Sequence, residues 1–226
     1  LKLFQQLQYK HTLLLDLVYG KDGETPVDDA DLTEHLDSQM YELAYVNIPL
    51  YNTSTFVFAS DDQKAEMLQL AQQAATAANL MDYENVEDQV SALHAAAQSA
   101  LPDIYAVLDA TPSDDASSVQ TELLTESDLT STFTQDGAAD AVRGLVYGEA
   151  AAVQYNGYSV ILMMRIDPLQ VSTLDALRSQ ILSDMKGEEL NDALAAYGAQ
   201  LTSTLSSSAM SKMPASKIVN DTSANS

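Results

Sequence analysis

The run Tyr155-Asn156-Gly157-Tyr158-Ser159-Val160-Ile161-Leu162-Met163-Met164-Arg165-Ile166 constrains this fold more than any other stretch. Asn-Gly between two apolar segments is a strong hairpin signal, because a tight two-residue turn asks for left-handed backbone that Asn and Gly tolerate. The first segment, Ala150 to Gln154, is short. The second is apolar at nearly every position from Val160 to Met164, where a half-exposed strand would alternate. It is therefore expected in the middle of a sheet, covered on both faces and ended by Pro168.

The remaining strands and helices are read from periodicity and caps. Phe4, Leu7, His11, Leu14, Leu15 and Val18 form one apolar stripe on a helix over 1–19, with His11 as a structural histidine at its edge. After Gly20-Lys21-Asp22-Gly23, Asp28 is an N-cap with Asp31 three residues on, giving a short helix over 29–38. Tyr41 to Leu50 reads as a strand, and 51–59 as a polar-aromatic loop or short edge strand. Ser60 to Gln63 is a capping box that opens an alanine-rich helix to about Asn79. A second helix starts near Asn85. Pro102 should interrupt or kink it before Asp103 to Asp109 resume.

A loop over 111–118 leads to a short strand, Val119 to Thr125, and Ser127-Asp128 should cap one helix from Leu129 to about Leu145. After Pro168, Ser172 and Asp175 cap a long helix ending near Gly198, and the Ser/Thr-rich residues 201–226 are expected to be disordered. The fold class is α+β. The helices at the two ends have apolar faces and no sheet of their own. The economical arrangement makes 1–38 and 170–226 a helical domain, interrupted by an insert over 39–169 with a small, mostly antiparallel sheet.

Charge and composition exclude several function classes. Thirty-three acidic residues against ten basic ones give a formal net charge of −23. Such a surface repels phosphate backbones and anionic headgroups, so nucleic acid is not an expected partner and membrane association through charge is not either. The absence of cysteine removes disulfides and thiolate chemistry. His11, His35 and His94 lie on separate helical segments without ligand spacing, so no metal or cofactor is expected. The acids Asp82, Glu84, Glu87 and Asp88 could hold calcium weakly, but a solvated helix start explains them more simply.

The element order and several local motifs resemble the extracytoplasmic foldases of the PrsA/SurA type, which join a helical chaperone domain to a parvulin-type peptidyl-prolyl isomerase domain. The resemblance begins at Leu17-Val18-Tyr19-Gly20-Lys21-Asp22-Gly23 and Val27-Asp28-Asp29-Ala30-Asp31-Leu32. It continues through Leu129 to Leu145, Gly148-Glu149, Tyr155-Asn156-Gly157-Tyr158 and the late Lys217-Ile218. It implies a chaperone of unfolded, secreted or proline-containing polypeptides, outside the cytoplasm or at the cell surface. A signal segment or lipoprotein anchor would precede Leu1, which reads as mid-helix.

The resemblance also implies a peptide-binding site at Tyr45, Phe133, Tyr158 and Ser159. Tyr45 stands where the family has its first-strand histidine and Ser159 where it has its last. Phe133 matches the family's helix phenylalanine. Ser113-Asp114-Asp115-Ala116 replaces the glycine-rich loop. Twisting a prolyl amide past a barrier of about 18–20 kcal/mol takes an apolar pocket and a tunable polar network. A Tyr/Ser pair hydrogen-bonds but does not titrate near neutrality, so isomerase activity is expected to be weak or lost. Two alternatives stand beside the chaperone: an active isomerase with a rearranged site, and a surface binding protein reusing the fold.

Overall fold

The computed structural model describes residues 2–200, with side chains from residue 9 onward. The stretch 201–226 and the side chains of Phe4 and Leu7 lie outside the described residues. Along the chain run α1 (Lys2–Tyr19), α2 (Asp29–Gln39), β1 (Met40–Pro49), α3 (Asp61–Ala78), α4 (Val86–Ala106), β2 (Gln120–Thr125) and α5 (Glu126–Thr132). They are followed by α6 (Ala138–Arg143), β3 (Ala150–Asn156), β4 (Ser159–Arg165), α7 (Pro168–Val171) and α8 (Leu174–Gln200). The protein is α+β, with a four-stranded antiparallel sheet of order β2-β1-β4-β3.

β4 is the strand the sequence places in the middle. Six of its seven positions are buried, and it is flanked by β1 and β3. On one face Ala44, Val46, Ile48, Val160, Leu162 and Met164 pack with the buried sides of α3 and α4. On the other, Leu43, Ile161 and Met163 lie under Leu129, Phe133 and Val142 from α5, its C-cap and α6. Both faces are closed by helices, which is why β4 carries no polar alternation.

The hairpin itself closes differently from the Asn-Gly expectation. Gly157 does not have a left-handed backbone; among the described residues that conformation falls to Phe56, Asp109, Gly137 and Gly148. Instead Asn156 pairs with Ser159 as the last strand residue, and its Oδ1 accepts the Tyr158 N–H at 2.8 Å. A register shift between Gln154 and Asn156 absorbs the extra residue.

Three helix expectations change. Pro102 neither interrupts α4 nor ends it. Proline costs one backbone hydrogen bond there, and buried Leu101, Ile104 and Tyr105 hold the last turn to the core. The single helix expected over 129–145 is two helices. α5 is capped by Thr125, whose Oγ1 and the Asp128 carboxylate form a capping box, and it stops at Phe133 (φ −92°, ψ 72°). Gly137 (φ 77°) then turns the chain into α6. The long C-terminal helix starts one residue late: Thr173 in place of Ser172 is its cap, its Oγ1 accepting the Ala176 N–H at 3.2 Å, and Asp167 opens the short α7 before it. The caps at Asp28 and Ser60 are as expected.

The helical ends are tied to the sheet within one compact unit, Leu1–Met185. His35 Nε2 lies 2.7 Å from Asp184 Oδ2, and Arg178 of α8 bonds Asp29 at the start of α2. Arg165 of β4 donates from NH2 to the Asp37 carbonyl at 2.8 Å. Beyond Met185, α8 continues to Gln200.

Candidate functional site

Tyr45 and Phe133 meet on the sheet face covered by α5 and α6. Tyr45 sits in β1 opposite Met163 and Gln120, packed against the cluster that holds Phe133. Its hydroxyl donates to Glu122 Oε2 of β2 at 3.3 Å. Burial, and then the Glu122 carboxylate, push that hydroxyl above the ordinary tyrosine range, so it stays protonated at neutral pH. Phe133 is 4% exposed, with its ring 5.6 Å from that of Tyr155 at 52°. The Gln135 N–H donates to the Tyr155 carbonyl at 3.2 Å, which seats the loop after α5 on the bulge of β3.

Ser159 belongs to the same face by register but not to the same place. It pairs with Pro49, four residues from Tyr45 along β1, about 13 Å away at roughly 3.3 Å per residue. Asn47 lies between them and accepts the Tyr155 hydroxyl at 3.2 Å. Ser159 is buried. Tyr158 leaves the sheet at the turn and is exposed, its ring 5.8 Å from that of Phe58. Tyr45 and Phe133 thus come together, Ser159 caps the far end of a polar row, and Tyr158 joins the loop 51–58.

This face offers hydrogen bonds and apolar contact, and little else. Its polar groups are the Tyr45, Tyr155 and Ser159 hydroxyls, the Asn47 amide and the exposed Glu122 carboxylate that accepts from Tyr45. Among the described residues no three His, Asp or Glu side chains gather to hold a metal ion, and no helix is long and apolar enough to cross a membrane. His94 Nδ1 lies 2.8 Å from the Ser117 carbonyl, a structural tie between α4 and the loop before β2.

Several residues of consequence escape a reading by motif. Glu42 is a carboxylate in an otherwise apolar strand, 7% exposed and on the α3/α4 face by its pairing with Leu123. Burial, reinforced by Glu122, pushes its carboxyl up to about 7. The one acid in the inward register of β1 was a visible signal. Arg165 puts its guanidinium carbon 5.1 Å from the Tyr41 ring centroid and 5.0 Å from that of Tyr147. Its Nε is buried without a partner, which marks it as a clamp between α2 and the sheet rather than a free cation. Partial burial, and then the bond it donates to Asp37 at 2.8 Å, push the Tyr147 hydroxyl up to about 12. The loop at 51–58 carries the largest exposed aromatic group, and the sequence marks it only by composition. Comparison with protein-family models, with curated proteins and with solved structures finds no match.

Proposed function

We propose that this chain is a foldase-like chaperone that holds unfolded or secreted polypeptides, with prolyl isomerase activity weak or lost. The observation that carries the reading is the state of the face holding Tyr45, Phe133 and Ser159. β1 and β4 are central neighbours in the sheet, and Tyr45 and Ser159 share the face that Phe133 covers. That face has Tyr and Ser where the family has histidines, and Phe133 is sealed against Tyr155 instead of lining an open pocket for a proline ring. Binding needs a surface; isomerisation needs that pocket. The extracytoplasmic or cell-surface setting, with a lipoprotein or signal segment upstream, rests on the same resemblance.

The test pairs two assays on the same protein. Light scattering of a chemically denatured client should be suppressed at near-equal molar amounts, while a proline-peptide isomerisation assay should show little acceleration. Acceleration that disappears in Tyr45→Phe or Ser159→Ala would replace this reading with an active isomerase of rearranged site. The filled sheet face also favours a surface binding protein that reuses the fold for another ligand. A chain that leaves several denatured clients to aggregate is that protein instead.

A further inference from the structure

Tyr51, Phe56, Phe58 and Tyr158 form a continuous row of rings at the end of the sheet. Centroids step 6.4 Å from Phe56 to Tyr51, 5.6 Å to Phe58 and 5.8 Å to Tyr158. Phe56, Phe58 and Tyr158 are 73%, 57% and 62% exposed. Contiguous exposed aromatics on this scale mark contact surfaces.

The row is built, not a loose loop. Tyr51 and Phe58 form a β-bridge, and the Asn52 N–H donates to the Val57 carbonyl at 2.9 Å. Asn52 Oδ1 accepts from the Ser54 and Thr55 N–H groups at 3.0 Å each, while its Nδ2 donates to Leu108 O in the turn after α4. The Leu50 N–H donates to the Tyr158 carbonyl at 2.7 Å, joining this loop to the β3–β4 turn. Phe56 is held at φ 57°, a conformation costly for an aromatic residue, and its ring still faces water. Burial does not compensate that strain.

Ring spacing and charge identify the occupant. Each step is close to the advance of two residues in an extended chain, about 6.2 Å for polyproline II. Two of the three ring pairs are tilted, by 53° and 55°, and touch edge to face, so the row presents a ridged apolar surface and not the flat platform a sugar ring would use. Beside it lies a depression of about 360 Å³, lined by Asn52, Thr55, Val57, Phe58 and Asp109 among others, with no basic side chain in its wall. The nearby Lys64 is taken by Asp61 at 3.0 Å. With a net charge of −23 behind it, this groove favours cations.

We propose that this aromatic row is the docking surface for extended segments of client polypeptide rich in proline and lysine or arginine. Proline rings pack against the exposed faces of the aromatic rings, as in other polyproline recognition, and a basic side chain reaches Asp109. The proposal rests on the chaperone reading and assigns it a surface and a client chemistry.

The test measures fluorescence anisotropy of a dye-labelled peptide of alternating proline and lysine, beside its proline–glutamate counterpart. Aggregation of a denatured client is followed in parallel. The parent chain should bind the lysine peptide and not the glutamate one, and should bind it more weakly as sodium chloride is added. The double variant Phe56→Ala/Phe58→Ala should lose affinity by about tenfold or more. Asp109→Asn keeps a residue that tolerates the left-handed backbone (φ 49°) and should weaken lysine-peptide binding by about threefold. Unchanged affinity in the double variant, equal binding of both peptides, or displacement by a soluble oligosaccharide would each overturn the assignment. If the parent suppresses aggregation and the double variant suppresses it equally, the surface is wrong and the chaperone reading stands. If the parent neither binds peptide nor suppresses aggregation, both fall.

Discussion

Two aromatic pairs in this protein have nearly the same geometry and opposite surroundings. Phe133 and Tyr155 sit 5.6 Å apart at 52°, and Phe58 and Tyr158 sit 5.8 Å apart at 55°. Both pairs join a residue before or after a helix to one end of the same hairpin. The first is enclosed by Leu129, Ala138 and Val142, while the second stands in water. Ring chemistry and spacing therefore do not say which pair is structure and which is surface; the element laid over the pair does. α5 and α6 close the sheet face, and nothing among the described residues closes the loop 51–58.

The widest separation between the two pairs should appear in stability. Phe133→Ala removes a buried ring and leaves a cavity, at a cost of about 3–4 kcal/mol in urea denaturation. Phe58→Ala should cost no more than about 1 kcal/mol, because most of that ring is already hydrated. Equal losses would mean that the loop 51–58 is as much a part of the core as Phe133.

The same contrast extends to carboxylates, with a smaller effect. Glu42 is buried, whereas Glu122 beside it is exposed. Because the folded state raises the Glu42 carboxyl from 4.5 to about 7, it binds a proton more tightly than the unfolded chain. Its favourable contribution is full below about pH 4.5 and is lost as pH rises through about 7. Glu42→Gln should raise stability by about 2 kcal/mol at alkaline pH and by little in acid. A gain that does not depend on pH would place the Glu42 carboxylate in contact with water.

The smallest effects concern the turn that presents Tyr158. Nothing lies within 4 Å of a Cβ added at Gly157, and its backbone is not left-handed, so Gly157→Ala should change stability by no more than about 0.5 kcal/mol. Asn156→Ala removes the acceptor of the Tyr158 N–H and should cost about 1 kcal/mol. The reverse order in thermal melts would restore the primed Asn-Gly turn.

The sheet was legible because its signals are local and strong. The uninterrupted apolar run Val160 to Met164 requires cover on both faces, and Asp28 and Ser60 cap as their spacing says. The break at Phe133 was not legible, since its cause is the β3 bulge that the following loop docks on, a contact between residues 135 and 155. Pro102 misled for a similar reason: whether a helix survives proline depends on what holds the turn around it, and here buried Leu101, Ile104 and Tyr105 anchor it to the core. Of the candidate site, Tyr45, Phe133 and Ser159 could be assigned to positions in sequence. Their separation along β1, the seal over Phe133 and the transfer of Tyr158 to another surface depend on tertiary contacts.

The strand order β2-β1-β4-β3 also sets a timetable. β1 is made early, yet its longer ladder, from Leu43 to Pro49, is with β4. Until the ribosome has passed Arg165, β1 has at most β2 for a partner, and Val46 and Ile48 have no β4 beside them. Contacts this distant in sequence form slowly and leave apolar strand edges open to other chains meanwhile. During its own synthesis the protein is thus a nascent chain with exposed apolar strands, in the same position as a polypeptide in need of a chaperone.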